Sequence, residues 1–192
     1  MGRLHGPLLK LILASASPRR RAILRAAGVS FTVDPSGVDE NISEKDPRKH
    51  VVRLARLKAL DVAKRHPGHP VLGADTIVVC MGEILGKPKD LKDAVRMITL
   101  QSGRTQRVYT GTALAIGRRV YTEVAVTKVY ARLLDAARLK RLAGKHMDKA
   151  GAYAVQDRHD PLVARIVGDR DNVTGLPMRS VRRLLARARR EA

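Results

Sequence analysis

The sequence predicts an α/β protein, and three observations carry that prediction. Short apolar runs of strand length alternate with longer segments of helical period, two helical segments open on a cap residue followed by proline, and no internal repeat or low-complexity linker interrupts the alternation. A hydrophobic fraction of 44% over 192 residues suffices for a core, so residues 1–192 read as a single domain, or two small lobes sharing one cleft.

The elements follow in order. Leu8 to Ala14 reads as a strand. Ser17 is a natural helix cap and Pro18 fits the first helical position, after which Ile23, Leu24 and Ala27 form an apolar face and Gly28 ends the helix. "VSFTV" returns as a second strand. Asp46 and Pro47 open a second helix, whose apolar stripe runs through Val51, Leu54, Ala55 and Ala59. "HPVLGADTIVV" is a buried strand, "MGEILGKPKD" a short hairpin and loop, and "LKDAVRMITLQSG" a helix ended by Gly103. Strands are expected at Val108 to Ile116 and Val120 to Arg132, then a helix near Ala136 to Ala143, and further strands in "GAYAV" and "PLVARIVGD". The tail "PMRSVRRLLARARREA" is an amphipathic helix, with Val181, Leu184, Leu185 and Ala188 on one face and arginines, read as a solvated surface, on the other.

Composition narrows the function classes. The lone cysteine, Cys80, allows no intramolecular disulfide and no cysteine-rich metal site, which fits a reducing cytoplasm. The basic, apolar start resembles a secretory signal, but Lys10 interrupts the apolar segment and "SPRRR" follows it, so the expectation is against export. No apolar run approaches the roughly 20 residues that span a bilayer, and no membrane partner is expected. Thirty-eight Lys and Arg against 18 Asp and Glu give a net charge of +20, which attracts phosphates, nucleic acid or anionic membrane. Aromatics are only 3%, with no Trp and one Phe, leaving almost nothing from which to build a stacking platform for single strands.

A strand running into a Ser-Pro-Arg-Arg helix start converges free backbone N–H groups, the positive end of the helix dipole, arginine forks and the hydroxyls of Ser15 and Ser17 on one point. That point reads as an anion site; an ordinary capped surface helix would explain Ser17 and Pro18 but not the crowding of Arg19, Arg20 and Arg21. "GVDEN" adds Asp39 and Glu40, "LGADT" places Asp75 inside an apolar strand beside Thr76, and "LGKPKD" offers Lys87. A carboxylate in such a strand is costly unless paired or metal-bound. Glu40 and Asp75 could hold Mg²⁺ together with substrate phosphates, and the alternative for Asp75 is a buried ion pair with a lysine such as Lys58 or Lys87. "GEILGKPK" fails as a phosphate-binding P-loop, because its glycines stand one residue too close and no Ser or Thr follows the lysine. His66 and His69 read as a solvated pair in a polar turn.

The motifs "LASASPRR", "VDEN", "RLARLKA", "VLGADTIVV", "GKPKD", "KAGAYAVQD" and "NVTGLPM" stand in the order seen in the Maf family of nucleotide pyrophosphatases, which the chain resembles over nearly its whole length. The resemblance implies an elongated mixed β-sheet flanked by helices with a central cleft, the Maf or ITPase-like fold, often dimeric. It implies hydrolysis of nucleoside triphosphates to monophosphate and pyrophosphate with a divalent cation, Mg²⁺ or Mn²⁺, in the house-cleaning removal of unwanted or modified nucleotides. By position, Arg19 and Arg20 match the "SPRR" arginines, Glu40 the metal-associated glutamate, Lys58 and Lys87 the phosphate-side lysines, and Asp75 the proton acceptor. Arg19, Thr76 and Gln156 match positions linked to base choice, and the set resembles the branch acting on dTTP and UTP, with CTP a further candidate. Leu57 in place of an acid, Asp157 after the glutamine, and "GDRDNV" without an aromatic pair depart from the family pattern; they bear on base preference and leave the phosphate chemistry intact.

The expected mechanism has the helix start, Arg20, Lys58 and Lys87 absorbing phosphate charge while Asp75 orients or deprotonates the water that attacks the α-phosphorus. A nucleotide substrate is the expected partner, a homodimer is compatible, and nucleic acid is not expected as the main partner. Two alternatives stay open: a basic nucleic-acid-binding protein, which explains the charge but leaves Asp75, Glu40 and Gln156 without roles, and a nucleotide sensor that binds without turnover.

Overall fold

The computed structural model describes residues 10–155 and 160–191. The elements in chain order are β1 (Leu11–Leu13), α1 (Pro18–Ala26), β2 (Phe31–Val33), α2 (Pro47–Ala63), β3 (Val71–Cys80), β4 (Glu83–Leu85), α3 (Leu91–Gln101), β5 (Thr105–Ile116) and β6 (Arg119–Ala131). They continue with α4 (Ala136–Leu142), a 3-10 turn (Ala150–Ala152), β7 (Val163–Val167), α5 (Arg170–Thr174) and α6 (Met178–Arg190). This is the expected α/β architecture with an elongated mixed sheet.

The strands run in the order β2-β1-β3-β5-β6-β7, with β4 on β3. β1 is parallel to both β2 and β3, and every other pairing is antiparallel. The parallel strands need helical crossovers. One of them, α1, packs with α6 on one face, where Leu24, Val181 and Leu184 meet Leu11, Leu13, Leu72 and Leu114. The other, α2, covers the opposite face, where Ala55, Ala59 and Val62 meet Ile12, Ala14, Val71 and Ala113. Beyond the middle of the long strands a separate apolar cluster forms from Val78, Cys80, Leu85, Met97, Ile98, Val108, Val129, Leu142, Tyr153 and Leu162.

Local chemistry accounts for the helix starts. Ser17 Oγ accepts from the Arg20 N–H, Asp46 from Arg48 and Lys49, Asp90 from Asp93, and Asp135 from Arg138, each satisfying donors that the first helical turn leaves free. Two segments differ from expectation. "GAYAV" forms no strand: Gly151 has φ of 72°, and Ala150–Ala152 turn as a 3-10 helix whose following residues lie buried without a sheet partner among the described residues. A short apolar run reports burial, which a packed loop achieves as well as a strand does. The other is α5, five residues long, capped by Asp169 and stopped by Gly175 in the left-handed region at φ 111°. Among the described residues no helix is long and apolar enough to cross a membrane.

One close approach positions α2. A methyl added at Gly73 would run into the Ala55 carbonyl, and one at Gly111 into the Val51 carbonyl, both backbone atoms that cannot swing aside. Gly111→Ala should therefore lift α2 off the sheet and destabilise the fold by about 3 kcal/mol, the upper end for overpacking, read as a lower urea midpoint at unchanged slope. A midpoint equal to that of the parent chain would show that α2 has slack there.

Candidate active site

The cleft forms where the sheet splits. β3 pairs with β1 through Val71 and Leu72 and with β4 from Val78 onward, so on that edge Gly73–Ile77 have no strand partner among the described residues. The opening lies just beyond the C-terminal end of β1, beside the reversal of strand order, the place where open α/β sheets bind ligands. It encloses about 770 Å³ and is lined by Ser15 to Arg20, Glu40, Lys58, Asp75, Thr76, Lys87, Lys149 and Gly175 among others.

Alternation along β3 sends Asp75 to the α2 face and Thr76 to the α1 face. Lys58 lies on the buried stripe Val51, Leu54, Ala55, Lys58, Ala59, Val62 of α2, so its stem packs inward while its ammonium reaches the cleft. Its Nζ stands 2.7 Å from Asp75 Oδ1 and 2.9 Å from Glu40 Oε1, with Lys58 and Asp75 side chains both only 8% exposed. Of the two lysines the sequence offered Asp75, the structure chooses Lys58, and Lys87 instead meets Glu40 Oε2 at 3.2 Å. Burial pushes the Glu40 carboxyl upward, but hydrogen bonds and charge from Lys58 and Lys87 outweigh it and hold Glu40 below its ordinary value. Asp75 Oδ2 has no protein partner among the described residues.

At the helix start, Ser15 Oγ accepts from the Ser17 N–H at 3.3 Å and from Arg20 Nη1 at 3.0 Å. Arg20 also donates through Nε to the Gly175 carbonyl at 2.9 Å and through Nη2 to Thr76 Oγ1 at 3.3 Å. Burial draws its guanidinium below the ordinary value, and nearby Asp75 partly counters this. Arg19 points to the opposite wall, 2.8 Å from Asp148, which Lys149 also meets at 2.6 Å. Burial raises Asp148, yet hydrogen bonds from Lys149 and Arg19 overcome it and pull the carboxyl down to about 2.

The cleft thus gathers Ser15, Ser17, Arg19, Arg20, Glu40, Lys58, Asp75, Thr76 and Lys87, every described residue among those expected; Gln156 lies outside the described residues. Lysines and arginines on its walls outnumber carboxylates, the balance that suits a polyanion. Among the described residues no group of three or more His, Cys, Asp or Glu stands ready for a metal. Glu40 and Asp75 touch the same ammonium and so lie within reach of one cation. Two hard oxygen donors with phosphates completing the shell suit Mg²⁺ or Mn²⁺ better than a protein cage would. His66 is not solvated alone, since its Nε2 lies 2.7 Å from Asp34. Asp148, Lys149 and Gly175 also line the cleft, and sequence reasoning assigns them no role. The signal for the last two lay in "KAGAYAVQD" and "NVTGLPM", whereas nothing local marks Asp148, which reaches Arg19 from 129 residues away.

Fold and site together define an α/β protein with a cationic cleft, suited to polyanions, around one buried carboxylate. The chain belongs to the Maf-like protein family, whose model matches residues 10–188. It is 46% identical over 172 residues to the dTTP/UTP pyrophosphatase of Elusimicrobium minutum, covering 88% of this chain and 94% of that protein. It is 48% identical to the protein of that name from Myxococcus xanthus, covering 93% and 92%, and 48% identical to that of Geotalea uraniireducens, covering 88% and 89%.

Two consequences can be measured. Lys58→Met strands Asp75 as a buried unpaired charge and should cost about 3–5 kcal/mol, most of it recovered in Lys58→Met/Asp75→Asn, where no charge is stranded; equal midpoints for the single and double variants would remove the pair from the stability account. Asp148 has a folded value below its ordinary 3.8, so its contribution is present above pH 3.8 and is lost as pH falls toward about 2. Asp148→Asn should lower the melting temperature slightly at pH 7, as an exposed ion pair does, and the difference should close between pH 3.8 and about 2.

Proposed function

We propose that this chain is a nucleoside triphosphate pyrophosphatase that hydrolyses dTTP and UTP to the monophosphate and pyrophosphate. The observation that carries the reading is Asp75: a buried carboxylate at the centre of a cationic cleft, on a strand edge that is unpaired among the described residues, with one oxygen held by Lys58 and the other without a partner among those residues. The names carried by relatives 46–48% identical over most of the chain support the same activity and substrates.

In this reading Arg19, Lys58, Lys87 and the start of α1, with Ser15 and Ser17, take the triphosphate, while Arg20 ties the helix start to β3 and α5 and leaves its remaining N–H groups for phosphate oxygens. A divalent cation held by Glu40 and Asp75 would supply neutralisation of phosphate charge. Asp75 Oδ2 accepts a proton from the attacking water, whose oxygen bonds to the α-phosphorus as the bond to the bridging oxygen of the β-phosphate breaks and pyrophosphate leaves. Lys58, donating to Oδ1, orients Asp75 for that transfer. Gln156 carries one amide donor group and one acceptor, the complement of the O4 and N3–H edge of uracil and thymine. The reading extends to a cytoplasmic enzyme, acting as one two-lobed domain and compatible with a homodimer. Its one cysteine, Cys80, is free and buried.

The experiment is pyrophosphate release from dTTP, UTP, CTP, GTP and 7-methyl-GTP with Mg²⁺ or Mn²⁺. The parent chain should prefer dTTP and UTP. Asp75→Asn, nearly isosteric and leaving Lys58 paired with Glu40, should keep its fold and lose at least about a hundredfold in turnover. Turnover within a few-fold of the parent would remove Asp75 from the mechanism, and salt-sensitive duplex binding without any release would favour the nucleic-acid reading.

A further inference from the structure

Thr76, half-buried on the cleft wall, is the outer end of a hydrogen-bonded chain that runs into the protein. Its Oγ1 lies 2.9 Å from Thr110 Oγ1, and Thr110 Oγ1 lies 3.0 Å from the main-chain carbonyl of Asn172 in α5. Each hydroxyl has one proton. A carbonyl can only accept, so the Thr110 proton is committed to Asn172, and the contact between the two threonines is made with the Thr76 proton. Arg20 Nη2, which can only donate, also meets Thr76 Oγ1 at 3.3 Å. Both protein neighbours therefore impose the same polarity.

The far end of the chain is anchored. Asn172 is fully buried, and its Nδ2 donates to the Val108 carbonyl at 3.1 Å and to Thr127 Oγ1 at 2.9 Å. Thr127 Oγ1 is saturated, since it donates to the Asp169 carbonyl and accepts from the Asp169 N–H as well. Turning the Asn172 amide over would set oxygen against a carbonyl oxygen, so the side chain pins α5 to β5 and β6 in one orientation. Asn172 comes from "NVTGLPM", a motif from which the mechanism uses only the Gly175 carbonyl.

We infer that Asn172 and Thr110 are positioning residues that lock the Thr76 hydroxyl proton inward, so that Thr76 faces the cleft as a hydrogen-bond acceptor and selects the imide N3–H of uracil or thymine. Cytosine presents an acceptor at N3 and meets oxygen lone pairs instead of a proton. Thr76 then takes the N3–H that the Gln156 acceptor could otherwise meet, and the carbonyl oxygens of the imide fall to donors such as the Gln156 amide. This deepens the pyrimidine triphosphate reading and rests on it.

The test is the ratio of kcat/KM for UTP over CTP in the parent chain, Thr110→Val and Thr110→Ser. Thr110→Val keeps the buried shape and the Asn172 anchor but frees the Thr76 proton to turn into the cleft. The ratio should narrow about tenfold, the scale of one mismatched polar group, chiefly through KM, and Thr110→Ser should restore it. Thr110→Ala, with fewer atoms to fit, carries the same expectation should the valine variant fail to fold. An unchanged ratio in a folded variant, or an equal loss on both nucleotides that serine does not rescue, would overturn the inference, the second by showing a merely structural role. If the parent chain hydrolyses neither nucleotide, the proposed function falls instead, and the ratio of UTP to CTP dissociation constants in the same variants decides the inference with the same outcomes.

Discussion

The structure depends on how closely α2 approaches the sheet. Gly73 on β3 and Gly111 on β5 leave room for the helix backbone itself to lie against the strands, with Ala55 and Ala59 keeping the helix side equally small. At that separation the stem of Lys58 belongs to the core and its ammonium reaches Asp75. Lift the helix by the depth of a methyl group and the buried carboxylate loses the charge that makes it tolerable. Packing of the smallest residues in the chain thus sets the electrostatics of its most polar site.

The second constraint is the interrupted pairing of β3. Its first residues bond to β1 and its last to β4, and the edge between them, without a strand partner among the described residues, is floor to the cleft. Separate apolar clusters on either side of the interruption fix the two walls. What crosses the opening is polar: Arg20 gathers Ser15, Thr76 and Gly175, and Arg19 reaches Asp148. A strand edge that would elsewhere be a hazard is occupied here by chemistry and closed off by charge.

Legibility from sequence followed the range of the interactions. The starts of α1 and α2 were readable to the residue, because a cap and a following proline act within one helical turn. "GAYAV" reads as a strand but forms a buried turn, because burial by a loop and burial by a strand leave the same apolar signature. The short α5 is not legible in the sequence, because a five-residue helix carries no period, although it and its Gly175 cap supply the carbonyl that holds Arg20 and the Asn172 anchor beneath Thr76. The residue types of the site were legible as motifs, and their pairing was not: Lys58 and Lys87 were equivalent partners for Asp75 until α2 was docked.

By itself the sequence determined the alternation of elements, the helix starts, the family resemblance and the inventory of the site, since caps, periodicity and motif order are written in neighbouring residues. Only the tertiary structure decided which lysine neutralises Asp75, which acid meets Arg19 and which way the Thr76 proton points. Those are contacts between elements far apart in the chain, and in a low-dielectric cleft a displacement of an ångström or a single hydrogen-bond partner changes which of them forms.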